Sequence, residues 1–317
     1  MESKNVLVTG GNGHLGNAIA KALCEKGYNV RVTVRNAKDV KFNKIFEGYT
    51  VELYEADIRD EASVKKAMEG VSGLFQVAAL YNFNERGLGE SIVANNTEGT
   101  QTVLKVAKAC RVQRVIMTSS IVAVGFGGTK EQPMTEDDWN DPADPYCRSK
   151  VESEKAAWSY AREQGLDLVT LCPGLILGPN FYKHTASTVN VSTYINHQLP
   201  FRFPFQPSVV DVRDVAHAHI LAYEYKQASG RYLVSGTHVA DFPDILKEVE
   251  PEMVLPERML SIEQMKQLSE KSGASNEMVG RSFIYSDQKI KSELAWEPRP
   301  IEDTLKDTIS WIKERGM

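Results

Sequence analysis

The sequence has few cysteines, no long apolar run and no strong excess of charge of either sign. Four cysteines, Cys24, Cys110, Cys147 and Cys172, occur among 317 residues, and no two of them form a Cys-x-x-Cys pair. This usage is typical of free thiols in a reducing compartment and gives no basis for a disulfide framework. No apolar stretch approaches the roughly 20 residues that a membrane helix requires. We therefore expect neither structural disulfides nor a membrane partner.

Charge and histidine content exclude further classes of function. The formal net charge of −5 gives no reason to expect a nucleic acid or an anionic membrane as partner. The six histidines are scattered, and His217 and His219 stand two apart on a predicted helix, on different faces. We therefore expect no metal site. A strand is predicted almost at once after the first methionine, with no signal segment before it, so a cytoplasmic location is the default expectation.

A glycine-rich stretch near the start of the chain stands out against this ordinary composition. Residues 5–16 read Asn-Val-Leu-Val-Thr-Gly-Gly-Asn-Gly-His-Leu-Gly, an apolar run followed by a turn and a helical pattern. Glycines let a backbone approach a pyrophosphate closely, and the free amides of a helix start favour an anion. The stretch predicts a dinucleotide phosphate site; a glycine loop that only connects a strand to a helix is the alternative. The predicted contacts are Gly10, Asn12, Gly13, His14, Leu15 and Gly16.

Strands and helices then alternate along the first half of the chain. Hydrophobic periodicity predicts helices over residues 14–26, 61–69, 88–110 and about 145–165, and strands over residues 29–34, 51–56, 72–77, 114–118 and 167–172. Such alternation predicts an α/β fold, a doubly wound parallel Rossmann sheet with its ligand beyond the carboxyl ends of the strands. We divide the chain into a dinucleotide-binding domain, residues 1–178, and a smaller C-terminal substrate lobe, mainly residues 179–317. Residues of about 208–237 are expected to return to the first domain.

The residue that ends the second strand bears on the choice of cofactor. In dinucleotide folds an acid there binds the 2′-hydroxyl of NAD, and a base accommodates the 2′-phosphate of NADP. Here the residue is Arg35, with Lys38, Lys41 and Lys44 following. One charge-assisted hydrogen bond contributes roughly 1.5–3 kcal/mol, which corresponds to about one to two orders of magnitude in affinity. We therefore predict NADP(H) as the cofactor; a solvated basic helix start is the alternative.

Two later strand ends offer further cofactor contacts. Asp57 and Ile58 follow the third strand, where the carboxylate can accept from an adenine amino group and the isoleucine can pack on the ring. Asp57 can also cap the next helix. Ala78 and Ala79 follow the fourth strand, and their small side chains let the chain pass close to a cofactor.

The residue types for proton transfer to a carbonyl appear around residue 146. Tyr146 and Lys150 are four apart at the start of a predicted helix, so they share one face. A free phenol has a pKa near 10, and a neighbouring ammonium favours the phenolate and lowers that pKa. Ser120 follows the fifth strand, 26 residues before Tyr146, and can orient a carbonyl oxygen. A Tyr-x-x-x-Lys pattern alone is common; the combination with the glycine turn and the strand-end serine is specific.

Taken in order, these motifs resemble the extended branch of the short-chain dehydrogenase/reductase superfamily over essentially the whole chain. The matching positions are Thr9 to Gly16, Asp57, the Asn-x-x-Gly-Thr element at Asn96, Ser120, Tyr146, Lys150 and Pro173-Gly174. Within that branch, Val-Arg-Val-Thr-Val-Arg-Asn and Val-Ile-Met-Thr-Ser-Ser-Ile look most like the dihydroflavonol 4-reductase and cinnamoyl-CoA reductase group.

The resemblance implies NADPH-dependent reduction of an aldehyde or ketone by hydride transfer. It assigns Tyr146 as proton donor, Lys150 as the residue that tunes the tyrosine and holds the nicotinamide ribose, and Ser120, rather than Ser119, as the residue that fixes the carbonyl oxygen. It adds Asn96, Pro173 and Leu175 as cofactor contacts. Gly99 lies inside a predicted helix, where glycine costs about 1 kcal/mol against alanine, so close packing is expected there.

Aromatic residues in a region poor in charge suggest where the substrate binds. They predict a pocket for an apolar or aromatic carbonyl compound, although for any single aromatic the sequence favours a place in the core of the lobe over contact with substrate. The candidate pocket residues are Tyr81, Phe83, Phe126, Phe181, Tyr182 and Tyr194.

Two other functions remain open from the sequence. A sugar-nucleotide epimerase or dehydratase of the same superfamily keeps a tightly held NAD and usually an acid after the second strand, which Arg35 disfavours. A non-catalytic NADP(H)-sensing protein typically lacks the Tyr-x-x-x-Lys pair, which is present here. The sequence is compatible with a monomer or a homodimer.

Overall fold

The computed structural model of the chain describes residues 4–38, 44–79, 89–272 and 275–317. The strands are β1 (Asn5–Val8), β2 (Asn29–Val34), β3 (Val51–Glu55), β4 (Gly73–Gln76), β5 (Arg114–Thr118), β6 (Leu168–Pro173), β7 (Leu175–Leu177), β8 (Ser208–Asp211), β9 (Gly230–Val234) and β10 (Thr237–His238). The helices are α1 (His14–Glu25), α2 (Glu61–Met68), α3 (Gly89–Ala109), α4 (Pro145–Gln164), α5 (Ala186–Ile195), α6 (Val212–Glu224), α7 (Phe242–Val249), α8 (Ile262–Ser272), α9 (Gln288–Leu294) and α10 (Ile301–Arg315).

A parallel sheet forms the centre of the fold. Its strand order is β3-β2-β1-β4-β5-β6-β9, and each neighbouring pair runs parallel. The order reverses between β1 and β4, because β2 and β3 lie on one side of β1 while β4 and β5 lie on the other. Such a switch point opens a crevice beyond the carboxyl ends of the strands. The predicted doubly wound parallel sheet is confirmed.

Side chains alternate across this sheet and bury both of its faces. In β1, Val6 and Val8 belong to one apolar core, which includes Ile19 of α1, whereas Leu7 belongs to a second core with Leu104 of α3. Alternation of this kind is what a strand with helices on both faces requires. Helices therefore cover the sheet on both sides and leave its ends open.

A smaller sheet lies beside the large one. It has the order β10-β8-β7, in which β7 and β8 run parallel and β10 antiparallel. In the segment that the sequence predicted to return to the dinucleotide-binding domain, β9 joins the large sheet and α6 packs against α1, whereas β8 belongs to the small sheet. The division of the chain at residue 178 stays a prediction.

The first turns of α4 hold the residues on which the predicted chemistry depends. The Asp144 side chain accepts a hydrogen bond from the backbone amide of Cys147 (2.9 Å), and Pro145 is the first helical residue. Both features are strong helix-start signals. The helix ends at Gly165, whose φ of 61° is left-handed. Tyr146 and Lys150 therefore lie at the helix end that faces the cleft.

Most predicted boundaries agree with the structure to within two residues. The predicted helix 14–26 ends at Glu25, and the predicted helix 88–110 spans Gly89–Ala109. The short strands β7 and β10 were not predicted. None of the helices within the described ranges is long and apolar enough to cross a bilayer.

Candidate active site

A cavity of about 270 Å³ lies at the switch point of the sheet. The glycine turn between β1 and α1 forms one wall, and the segments after β2, β3 and β4 form the others. Ten of the predicted cofactor contacts line this cavity: Gly10, Asn12, Gly13, Leu15, Gly16, Arg35, Asp57, Ile58, Ala78 and Ala79. It is the expected place for a dinucleotide.

Glycines of the turn occupy positions where the neighbouring backbone leaves no room for a side chain. Gly10 has a left-handed φ of 71°, and a Cβ on Gly16 would lie 2.2 Å from the Gly10 carbonyl oxygen. Gly99 of α3 packs closely as expected, since a Cβ there would lie 2.6 Å from the Ile58 side chain. Glycine at these positions thus holds the turn close and lets α3 support the wall at Ile58.

The hydroxyl of Thr9 joins the glycine turn to the wall after β4. It donates to Gln76 Oε1 (2.9 Å) and accepts from the backbone amides of Val77 and Ala78 (both 3.0 Å). Thr9 is 1% exposed, so these bonds are shielded from water. Thr9 stands in the predicted motif, but the sequence analysis gave it no role.

The His14 side chain does not line the cavity, and the contact of His14 with a cofactor stays a prediction. The ring is 8% exposed, its Nε2 lies 2.9 Å from the Pro179 carbonyl oxygen, and it packs edge-on against Phe181 at 5.4 Å between centroids. Burial lowers the pKa of His14 to about 4. The first residue of α1 places its side chain toward the segment after β7, away from the cavity.

Two arginines line the same cavity as the glycine turn. Arg35 directly follows β2, as the sequence indicated, and Arg59 was not predicted. Arg59 Nε and Nη2 donate to the two Asp57 carboxylate oxygens (3.1 and 2.8 Å), and Nη1 donates to Asn95 Oδ1 (3.1 Å). These hydrogen bonds lower the pKa of Asp57 to about 2. Arg35 forms no ion pair within the described residues, but its charge also contributes to the lowered pKa of Asp57.

Ser120 and Tyr146 line a second cavity, of about 170 Å³. Ser120 begins the short 3₁₀ helix Ile121–Ala123, and its Oγ accepts from the Val122 amide (3.3 Å). Ser119 faces the opposite way: it is 3% exposed, and its hydroxyl donates to Glu154 Oε2 (2.6 Å). This arrangement supports Ser120 over Ser119 as the serine that can meet a substrate.

Lys150 lies one helical turn beyond Tyr146, in a recess shared with Ser119 and Asn96. Burial lowers the pKa of its ammonium to about 8, while the negative charge of Glu154 acts in the opposite direction. At neutral pH Lys150 is therefore mostly charged, but it titrates close to the working range of an enzyme.

Asn96 of α3 is connected by hydrogen bonds to α4, the helix that carries Tyr146 and Lys150. Its Nδ2 donates to Ser149 Oγ (3.2 Å), and the Ser149 hydroxyl donates to the Tyr146 carbonyl oxygen (2.7 Å). Asn96 shares its recess with Ala78, Ala79 and Lys150 and does not line the large cavity. Its contact with a cofactor stays a prediction, while its link to the backbone of Tyr146 is part of the structure.

The segment after β6 contributes to the smaller cavity. Leu175, predicted as a cofactor contact, lines the cavity that holds Tyr146 and Ser120. Pro173 ends β6 and lines neither of the two cavities. Their contacts with nicotinamide stay predictions.

Three of the six predicted pocket residues lie away from the cavity that holds Tyr146. Tyr81 and Phe83 lie outside the described residues. Phe181 (0% exposed) and Tyr194 (2% exposed) belong to an apolar core, where burial raises the pKa of Tyr194 to about 12. Tyr182 packs against Trp311, away from the cavity. Phe181 and Tyr194 fill the interior of the lobe, which needs large apolar side chains.

Met278 and Phe283, which were not predicted, form the apolar part of the smaller cavity together with Leu175 and Phe205. Phe126, which was predicted, contacts Phe283 (5.4 Å between ring centroids), and Phe283 itself lines the cavity. No charged side chain is present among the described residues that line it. They are Ser120, Ile121, Val122, Tyr146, Gly174, Leu175, Ala186, Ser187, Asn190, Phe205, Pro207, Ser208, Met278 and Phe283.

No group of three or more possible metal ligands occurs in the parts of the chain that the structure covers.

Comparison with known proteins relates the chain to reductases. Residues 6–235 match the NAD dependent epimerase/dehydratase family. Cinnamoyl-CoA reductase 1 of Arabidopsis thaliana is 34% identical, with 99% of this chain and 90% of that protein covered. A bifunctional dihydroflavonol 4-reductase/flavanone 4-reductase of Malus domestica is 29% identical over 90% of this chain and 87% of its own length.

A solved structure agrees with these relatives. Vestitone reductase from alfalfa (Medicago sativa L.) superposes with a TM-score of 0.77 at 29% identity, covering 98% of this chain and 99% of that chain.

Proposed function

The chain belongs to the NAD dependent epimerase/dehydratase family, as an extended short-chain dehydrogenase/reductase of the dihydroflavonol 4-reductase and cinnamoyl-CoA reductase-like group, and we propose that it reduces an aldehyde or ketone carbonyl with NADPH. One observation carries the proposal. Tyr146 and Ser120 line an apolar cavity, and the neighbouring Ser119 and Lys150 line a recess that shares Ala78 and Ala79 with the cavity of the glycine turn. The two sites a reductase needs, one for a dinucleotide and one for a carbonyl compound, are therefore adjacent.

The side chains of the smaller cavity supply proton transfer and orientation. Ser120 donates a hydrogen bond to the carbonyl oxygen and fixes its position, and the Tyr146 hydroxyl donates the proton to that oxygen. Lys150, held charged one turn further along α4, stabilises the phenolate that Tyr146 becomes. A bound nicotinamide supplies the hydride. Proton transfer from a placed side chain contributes roughly 10²–10⁴-fold.

The residues of the larger cavity fit a dinucleotide phosphate. Gly10 and Gly16 leave the turn without side chains at the start of α1, where backbone amides favour an anion. Arg35 and Arg59 add two cations to the lining of this cavity, and the 2′-phosphate of NADPH is the anion that they suit. Because Arg59 is already paired with Asp57, Arg35 is the residue we assign to cofactor choice.

The smaller cavity also suggests the kind of substrate. Leu175, Phe205, Met278 and Phe283 provide apolar surface, and the described lining contains no cation to receive a phosphate. The part of the substrate held next to Tyr146 is therefore apolar or aromatic and uncharged.

The test is an assay of NADPH oxidation with a panel of carbonyl compounds. The panel contains aliphatic and aromatic aldehydes, α-keto compounds, hydroxycinnamoyl-CoA thioesters and dihydroflavonols, each with NADPH and with NADH. We expect turnover with at least one apolar carbonyl and a preference for NADPH. No turnover with any compound, together with NAD retained in the purified protein, would favour a sugar-nucleotide epimerase or dehydratase. Binding of NADPH with no turnover would favour a sensing protein.

A further inference from the structure

A charged residue with no assigned role lies beneath the proposed catalytic residues. Glu154 follows Lys150 by one helical turn on α4 and is 0% exposed. Its carboxylate accepts hydrogen bonds from Ser119 Oγ (2.6 Å) and Thr170 Oγ1 (2.7 Å), and from Arg231 Nε (2.9 Å) and Nη2 (3.2 Å). One carboxylate thus connects the catalytic helix with the end of β5 and with β6 and β9.

Stability alone gives a weak reason for this ion pair. Removing two charges from water is costly, and replacing a buried pair by well-packed apolar residues is often neutral or stabilising. Arg231 has structural contacts of its own: Nη1 donates to the carbonyl oxygens of Glu136 (2.8 Å) and Asp138 (2.7 Å), and the guanidinium lies 3.8 Å from the centroid of the Trp139 ring. These contacts give Arg231 a structural role of its own. They do not explain why a carboxylate is present at position 154.

The position of Glu154 relative to Lys150 supplies an explanation. Residues four apart on a helix are neighbours on one face. Burial makes the charged form of Lys150 costly, and Glu154 is the nearby anion that opposes this effect. Glu154 also holds Ser119, the residue immediately before Ser120. The same carboxylate therefore acts on two of the three proposed catalytic residues.

We propose that Glu154 is a positioning residue of the active site, which keeps Lys150 protonated and fixes the end of β5 that presents Ser120. The proposal rests on the function proposed above for Tyr146, Lys150 and Ser120. It assigns the residue no contact with substrate or cofactor, because Glu154 acts through Lys150 and Ser119.

Titratable groups on the neighbouring elements also surround Lys150 and Glu154. Arg231 of β9 is the cation that partly offsets the charge of Glu154. Burial raises the pKa of the Cys172 thiol on β6, and likewise the pKa of the Tyr285 hydroxyl, so both are neutral at physiological pH. Tyr146 precedes Lys150 on the same helix. In the described part of the chain, Glu154 is the anion placed to support Lys150.

The test compares Glu154→Gln with the wild type in two measurements. The first is the pH dependence of kcat for carbonyl reduction at saturating NADPH. Because a unit negative charge one helical turn from Lys150 is lost in a buried site, the alkaline limb should move to lower pH by about one to two units. The second is the phenolate absorbance of the protein without cofactor, taken as a difference from Tyr146→Phe. Its midpoint should move to higher pH, since Lys150 no longer carries its charge where Tyr146 ionises.

Two matched variants separate charge from packing. Thr170→Val removes one neutral contact to the same carboxylate and should leave both midpoints unchanged. Glu154→Asp keeps the charge but shortens the side chain, so it should keep the wild-type midpoints while lowering kcat through the loss of the Ser119 contact. A folded Glu154→Gln with both midpoints unmoved overturns the proposal, and so does a Glu154→Asp that shifts as far as Glu154→Gln.

Glu154→Gln leaves Arg231 buried and unpaired, which can prevent folding. In that case the double variant Glu154→Gln/Arg231→Met removes both charges, and it should shift both midpoints in the same directions by a smaller amount. Unshifted midpoints in the folded double variant overturn the proposal. If the wild type reduces no carbonyl, the proposed function fails, while the phenolate titration still decides the role of Glu154.

Discussion

The two ends of the cleft are built in different ways. The dinucleotide end is the more polar of the two and is formed by turns that directly follow neighbouring strands of one sheet, as at Gly10, Arg35 and Asp57. The substrate end is apolar and takes its walls from segments far apart in the chain, as at Leu175, Phe205 and Phe283. A strand end is fixed by the sheet, whereas a wall of distant segments is fixed only by the packing of the whole lobe. The following predictions test whether the two ends are also separate in function.

The largest effect is expected where the two ends meet. Tyr146→Phe removes the proton donor but keeps the ring, so kcat should fall by about 10²–10⁴-fold while NADPH affinity stays within about twofold. Stopped-flow or steady-state NADPH oxidation gives kcat, and fluorescence titration gives the affinity. Tyr160→Phe, on the same helix but outside both cavities, is the matched control. A Tyr146→Phe enzyme with the full rate would rule out the assignment.

The next effect should be confined to the dinucleotide end. Arg35→Ala should weaken NADPH binding by about ten- to a hundredfold and leave NADH binding nearly unchanged, because the arginine is assigned to the 2′-phosphate. Fluorescence titration with the two cofactors measures both values. Arg162→Ala, near the far end of α4, controls for loss of a surface cation. Equal losses for NADPH and NADH would contradict the assignment.

A smaller effect should be confined to the substrate end. Met278→Ala removes part of the apolar lining, and at about 0.8 kcal/mol per buried methylene the KM for an apolar carbonyl should rise about three- to tenfold. NADPH affinity should not change. Met265→Ala, on α8 and outside the cavity, is the control. A change in NADPH affinity of similar size would show that the two ends are coupled.

The smallest effect is a gradual loss of stability in acid. Burial lowers the pKa of His14 and of His219 from 6.5 to about 4, so the unfolded chain binds protons that the folded chain does not. The contribution of these histidines to the free energy of unfolding is therefore fully present above pH 6.5. It falls as the pH drops toward 4, by about 1 kcal/mol per histidine over the first pH unit. Urea unfolding across this range measures the slope. His14→Phe should reduce the slope, and the exposed His197→Gln should not; equal slopes in all three proteins would contradict the attribution.

The difference between the two ends also explains what the sequence could predict. The glycine turn, Arg35, Asp57 and the pair Tyr146 and Lys150 are local patterns, because each depends on spacing within one strand–turn–helix unit. His14 belongs to the same pattern, but which way its side chain faces depends on Phe181, more than 160 residues away in the sequence. Local periodicity carries no information of that kind.

The substrate end shows the same limit more strongly. Phe181 and Phe205 are both aromatic residues in a region poor in charge, yet the first fills a core and the second lines a cavity. Met278 and Phe283 line the same cavity as Tyr146 only because the C-terminal segment packs against it. No spacing in the sequence predicts this arrangement. The strands β7 and β10 are too short, at three and two residues, for an alternating pattern to be recognised.

The hydroxyl of Thr9 has a consequence for how a cofactor is held along its length. By binding Gln76 and the amides of Val77 and Ala78, it ties the glycine turn to the wall after β4. If the glycine turn binds the phosphates as proposed, the distance from that turn to the wall after β4 is fixed by one buried hydroxyl within the sheet, and not by a long loop. In that binding mode Thr9 would act as a spacer between the two parts of the cofactor site without touching a reacting atom.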